Sequence, residues 1–163
     1  MSINHPEELE CLCAAGVIAR RVLEAMKAAV QPGITTRELD IIGARVMAEA
    51  GARSAPALVY DFPGANCISV NEEAVHGIPG DRALKDGDLL KLDVTVEKDG
   101  FMADSAETVP VGNVTEESRR LLQCAERAFR KAMLVARAGF QIREIGRIID
   151  REVRRDGFSV IPE

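Results

Sequence analysis

The sequence contains no tryptophan, one tyrosine and five phenylalanines. So few aromatic rings leave no surface on which nucleobases could stack. The basic residues are scattered and the net charge is −5, so an electrostatic footprint for phosphates is missing too. No nucleic-acid partner is therefore expected. No apolar run approaches the roughly 20 residues that a membrane-spanning helix needs, which argues against a membrane partner. The opening MSINHPEELE has neither the basic nor the apolar segment of a secretory signal. The four cysteines, Cys11, Cys13, Cys67 and Cys124, form no CxxC pair and no disulfide or zinc-finger spacing. Reduced thiols in a cytoplasmic protein are the expectation. Histidine is also scarce, at His5 and His76 only. What is present is a 163-residue chain that is 47% apolar, suited to one globular domain with a single core.

The most informative stretch is Leu89 to Ser105, LLKLDVTVEKDGFMADS. Leu90, Leu92, Val94 and Val96 alternate with Lys91, Asp93 and Thr95, the period of a half-buried strand. Asp99-Gly100 tolerates the positive φ of a tight hairpin turn. A two-residue turn pairs residues whose numbers sum to an odd value. Asp93 and Asp104 satisfy that rule, so they share one face, directly opposite or one diagonal step apart. Their Cβ atoms are then roughly 5–8 Å apart. Two carboxylates that close repel unless a cation or a proton lies between them. The face is either a solvated surface or half of a metal site.

Around this hairpin the chain reads as helices and short strands. Residues 6 to 30 form a long helix, with Pro6 in its first turn and Gln31-Pro32-Gly33 as its stop. A second helix opens on the capping box Thr35-Thr36-Arg37-Glu38 and runs to Ala50. Residues 54 to 63 read as a strand and a turn, and Cys67 to Val70 as a short strand. His76-Gly77-Ile78-Pro79-Gly80 is a tight loop, and Lys85 to Asp88 a turn into the hairpin. The return strand extends to Val111. Thr115 caps a further helix, with Leu121, Leu122, Ala125, Phe129 and Met133 as its apolar stripe and Gly139 as its end. A last helix covers about Ile142 to Asp156.

A shift of 106 residues lays segment 33–56 over 139–162 without a gap, with seven of 24 pairs identical, Gly33/Gly139 and Arg37/Arg143 among them. Shared amphipathic composition could produce such a match. If it is a repeat, repeat one covers 1–112 and the start of repeat two covers 113–163. The second copy would hold only helices, leaving an incomplete sheet with an unpaired edge that tends to find a partner. Two copies of the chain associating across that edge is one expectation.

His76 lies in a loop stiffened by glycine and proline, where a side chain is aimed at little entropic cost. A lone loop histidine is more often a surface residue. Beside two paired aspartates, a role at a site becomes the better reading. Taken alone, Cys67 reads as an inert buried thiol, and Tyr60 and Phe62 as ordinary core.

The segment from Tyr60 to Gly112, YDFPGANCISVNEEAVHGIPGDRALKDGDLLKLDVTVEKDGFMADSAETVPVG, closely resembles the type I methionine aminopeptidases. Cys67-x-Ser69-x-Asn71, then HGIP, then LDVTVEKDGFMADSAET carry the likeness, and it extends more weakly over the whole chain. The resemblance implies an α+β fold, an antiparallel sheet with helices on one face. This is the pita-bread (creatinase/aminopeptidase) fold, here its first half plus the helices of the second. It implies a metal-dependent methionyl aminopeptidase that removes the initiator methionine from nascent proteins, with the ribosome as a candidate partner. Two divalent metal ions (cobalt, manganese, iron or zinc) are implied, bridged by a water. Asp93 would chelate one ion and Asp104 would bridge both. His76 would contact the substrate near the scissile amide. Tyr60, Phe62 and Cys67 would line the methionine pocket. The family adds three ligands from its second half, a histidine and two glutamates. That histidine belongs to a Gly-His-Gly element expected just beyond Phe158 to Glu163, so the 163 residues read as a C-terminally truncated catalytic domain. The alternative expectation is an inactive fragment that binds metal, peptide or a complementing C-terminal half.

Overall fold

A computed structural model describes residues 3–161. It comprises two compact units, one up to Val114 and one from Thr115 on. In the first, helix α1 (Pro6–Ala28) and helix α2 (Thr36–Glu49) precede the short strand β1 (Arg53–Ser54), helix α3 (Ala55–Tyr60) and strand β2 (Cys67–Val70). Strands β3 (Leu89–Lys98) and β4 (Phe101–Pro110) follow as the expected hairpin. The second unit holds helices α4 (Glu116–Met133) and α5 (Arg143–Arg155).

The first unit is an α+β layer with an antiparallel sheet. β4 pairs with β3 along its full length, from Lys98 opposite Phe101 to Leu89 opposite Pro110. β1 and β2 lie end to end on the other edge of β3, with Ser54 opposite Val96 and Cys67 opposite Asp93. Asp99 and Gly100 turn the hairpin with φ of 52° and 85°, both left-handed as the dipeptide requires. Glu97 holds that turn by accepting from the Gly100 N–H (2.7 Å) and from Arg53 Nε (2.8 Å).

The alternation in β3 sorts the chemistry. Leu90, Leu92, Val94 and Val96 are wholly buried against α1 and α2, through Val22, Met26 and Leu39. Both helices therefore cover one face, as the sequence implies. Lys91, Asp93 and Thr95 point to the opposite, open face. Leu92→Ala should cost about 2–5 kcal/mol in urea unfolding, the range for a large-to-small change in a closed core.

Residues 54–63 do not form the expected strand. Only Arg53 and Ser54 pair with the sheet, and a helix follows. Ser54 Oγ accepts from the Ala57 N–H at 3.3 Å, and Pro56 stands in the first turn, so a local cap outcompetes an apolar run of strand composition. Asp61 ends this helix in a left-handed conformation.

In the second unit, Thr115 caps α4 as expected, accepting from the Ser118 N–H at 3.1 Å. The buried row on α4 is Cys124, Ala128 and Ala132, not the larger residues of the expected stripe. Small side chains let α5 approach closely. Leu121, Phe129 and Met133 of that stripe stay exposed within this unit. α4 ends at Met133, ahead of Gly139.

At the 106-residue shift the ranges of α1 and α2 overlap those of α4 and α5. Segment 36–49 of α2 falls on 142–155, where α5 runs, and the flanking Gly33 and Gly139 share φ values of 95° and 91°. Among the described residues no helix is long and apolar enough to cross a membrane.

Candidate metal and substrate site

The open sheet face gathers three of the expected residues. Cys67, Asp93 and Ala106 form one row across β2, β3 and β4. Thr95 and Asp104 form the next row on that face. Asp104 is therefore one diagonal step from Asp93, the second of the two arrangements parity allows. Thr95 Oγ1 donates to Asp104 Oδ1 at 3.0 Å and orients that carboxylate. Lys91 Nζ lies 3.5 Å from Asp93 Oδ2.

Asp93 is a half-buried carboxylate beside a second one. Burial, and then the adjacent Asp104 carboxylate, push its pKa above the ordinary carboxylate range, while Lys91 pulls it back. Cys67 is 6% exposed. Burial raises its thiol pKa, with Asp93 adding to the effect, so it sits here as a neutral apolar wall. All four cysteines are free thiols.

His76 sits in the loop leaving β2. Its backbone is left-handed, with φ of 58°, a conformation that costs a non-glycine residue of order 1–3 kcal/mol. The next residue explains how the conformation persists. The Gly77 N–H donates to Ser69 Oγ at 3.0 Å, and the Gly77 carbonyl accepts from the Ile68 N–H at 2.9 Å. A Cβ on Gly77 would lie 2.2 Å from the Ile68 carbonyl oxygen. The loop thus lies flush on β2, beside Cys67. The His76 side chain is exposed and forms no hydrogen bond or ion pair among the described residues.

Tyr60 and Phe62 are less gathered. Tyr60 closes α3 at 80% exposure, and Phe62 is half-buried in the loop that runs to Cys67. That loop is anchored by a residue the sequence gave no reason to single out. Asp40, on α2, accepts from the Ala65 N–H (3.1 Å), the Asn66 N–H (2.8 Å) and Asn66 Nδ2 (2.9 Å). Helical acids with no paired base are usually solvated, so nothing in its spacing distinguished it. Ser69 and Asn71 belonged to the quoted motif, and their work is now visible. Ser69 pins the His76 loop, and Asn71 Oδ1 accepts from the Leu89 N–H at 2.8 Å, aligning β2 with the start of β3.

Residues 10–163 match metallopeptidase family M24. The chain belongs to this family. This M24 chain is 44% identical over 162 residues to methionine aminopeptidase 2 of Bacillus subtilis (strain 168), covering 99% of itself and 65% of that relative. It is 40% identical over 159 residues to methionine aminopeptidase 1 of Dictyostelium discoideum, covering 98% of itself and 43% of that protein. Its fold superposes on methionine aminopeptidase from Rickettsia prowazekii with a TM-score of 0.94 and 32% identity, over 100% of this chain and 66% of the other. For the Thermotoga maritima enzyme the TM-score is 0.96 at 27% identity, again over 100% and 66%. The chain therefore spans less than two thirds of the length of these relatives. The pita-bread architecture expected from the sequence is the observed one.

A metallopeptidase family implies divalent metal. The diagonal pair Asp93 and Asp104 fits two oxygen ligands of such a centre, and the raised pKa of Asp93 marks a place where a cation relieves repulsion. Among the described residues no group of three or more His, Cys, Asp or Glu side chains could hold a metal.

Proposed function

We propose that this chain supplies the first-half contribution to a methionine aminopeptidase site, acting on the N-terminal methionine of nascent peptides. Residues 1–112 form one repeat of the catalytic domain, and 113–163 open a second. The observation that carries this reading is the shared open face of Asp93, Asp104 and Cys67, in a chain closely similar to proteins named methionine aminopeptidase.

Asp93 and Asp104 would contribute carboxylate oxygens to hold divalent metal. Such ions lower the pKa of a bound water and polarise a scissile carbonyl. Thr95 fixes the lone-pair direction of Asp104 by its hydrogen bond. Lys91 tempers the repulsion between the carboxylates. His76, aimed by a pinned loop, would donate toward the charge that develops near the scissile amide. Cys67 offers a small, neutral wall to an unbranched thioether side chain. Phe62, in the loop before β2, and Tyr60, at the end of α3, would close the same pocket.

A chimera tests the assignment. The 163 residues are joined to the part of the Bacillus subtilis relative that follows the matched region. With manganese or cobalt the chimera should release methionine from a Met-Ala-Ser peptide. His76→Ala should lower kcat by about 10²–10³, the cost of one lost donor to developing charge. Asp104→Asn should abolish turnover. A fully active His76→Ala chimera contradicts the assigned role. The 163-residue chain alone should release little methionine under the same conditions, since two carboxylates leave a metal weakly held and the reacting geometry loose.

A further inference from the structure

We propose that Asp40 is a positioning residue that couples the two loops flanking Cys67, and so sets His76 relative to the Phe62–Cys67 wall. The coupling runs through named contacts. Asp40 draws three N–H groups of Ala65 and Asn66 onto one carboxylate. Asn66 is fully buried by this, with its side-chain amide turned to Asp40. Gly64, immediately before, is pressed against the other loop. A Cβ there would lie 2.9 Å from Pro79 Cγ and Cδ, and 3.3 Å from Asp40 Oδ2. Pro79 follows Gly77 by two residues, and Gly77 is fixed to Ser69 and Ile68. The far end of the same loop is tied to α2 as well. Thr36 Oγ1 accepts from the Gly80 N–H at 2.9 Å, and the Gly80 carbonyl accepts from the Arg37 N–H at 2.9 Å.

Helix α2 therefore holds both loops, one through Asp40 and one through its N-terminus, with Gly64 and Pro79 as the contact between them. A left-handed His76 persists only where its surroundings over-determine it. The Asp40 clamp is one of those determinants, although it lies on another element. The functional meaning of the coupling rests on the site reading above, whereas the coupling itself does not.

The test uses the 163-residue chain, isotope-labelled, in its native form and as Asp40→Asn and Gly64→Ala. Amide exchange is followed at Ala65, Asn66, Ile68 and Gly77, with Val94 and Ser105 of the hairpin as controls. The Cα and ring signals of His76 report its conformation. Asp40→Asn should speed exchange by at least about tenfold at Ala65 and Asn66. It should also release Gly77 and shift His76, with the hairpin unchanged. Gly64→Ala keeps the Asp40 carboxylate but crowds Pro79, and Asp40 Oδ2 at 3.3 Å, and should also shift His76 and Gly77. Effects confined to Ala65 and Asn66 would make Asp40 a local cap and overturn the proposal. If Asp40→Asn does not fold, Gly64→Ala decides alone: a shifted His76 supports the coupling, and an unshifted one refutes it. An inactive chimera with the coupling intact counts against the methionine aminopeptidase reading only.

Discussion

Replacing Asp93 and Asp104 together by asparagine is expected to abolish divalent-metal binding by this chain and to raise the thermal stability of its metal-free form. Both effects have one origin. The two carboxylates occupy diagonal positions on one sheet face, and Asp93 is held above its ordinary pKa by burial and by Asp104. A folded pKa above the unfolded value means the fold prefers Asp93 protonated. Its contribution is favourable below the unfolded pKa near 3.8 and is lost as pH rises through the folded value. At neutral pH the pair therefore destabilises the metal-free chain. Removing it should gain at most about 1 kcal/mol after discounting for solvent screening, or a few degrees in Tm. In the native chain, manganese or cobalt should bind with a Kd of about 10⁻⁴–10⁻³ M, as expected for few oxygen ligands. Affinity should rise with pH, because the cation competes with the proton on Asp93. Calorimetry and thermal melts at two pH values check all three points. Equal metal affinity in native and double-variant chains would return both aspartates to the solvated-face reading.

Gly77→Ala should be the most damaging single-methyl addition near the site. The new Cβ would meet the Ile68 carbonyl oxygen at 2.2 Å, and the Ile68 carbonyl carbon and Ser69 Cα at 2.7 Å. These are backbone atoms of β2, which cannot turn aside as a side chain does. The loop must lift, breaking the Gly77–Ser69 and Ile68–Gly77 hydrogen bonds that hold His76 left-handed. We expect a loss of about 3 kcal/mol in urea unfolding, the upper part of the range for overpacking. Gly77 and Ile68 should lose amide protection with it. In the chimera, kcat should fall about 100-fold, the scale of a 1 Å misplacement. Gly80→Ala, whose added Cβ meets nothing nearer than 4.0 Å, is the matched control and should be nearly silent.

How far these features were legible follows from their range. The hairpin was readable because its determinants are local: a period-2 alternation, Asp99-Gly100, and a parity argument that needs only a two-residue turn. The helices were readable from capping residues such as Thr35 and Thr115. Residues 54–63 were misread because Ser54 and Pro56 make a helix start out of β-branched and aromatic company, and one hydrogen bond settled the competition. The α4 stripe was misread because helix packing favoured the smaller Cys124, Ala128 and Ala132 over larger residues at similar spacing. Among the candidate site residues, Asp93, Asp104 and His76 were named from their chemistry and setting, and Cys67 only through the family likeness. Asp40, Gly64 and the pinning role of Ser69 were not. Their partners lie 25, 15 and eight residues away, and a long-range hydrogen bond leaves no periodic trace.

Manganese-induced relaxation of amide signals in the 163-residue chain tests the central claim most directly. Mn²⁺ should broaden Asp93, Ala103 to Ala106 and Cys67 first, and the Asp93→Asn/Asp104→Asn chain should lose that pattern. Broadening centred elsewhere, for instance on the acidic first turn of α1 at Glu7 and Glu8, or an unchanged pattern in the double variant, would contradict the assignment of this sheet face as part of a metal centre.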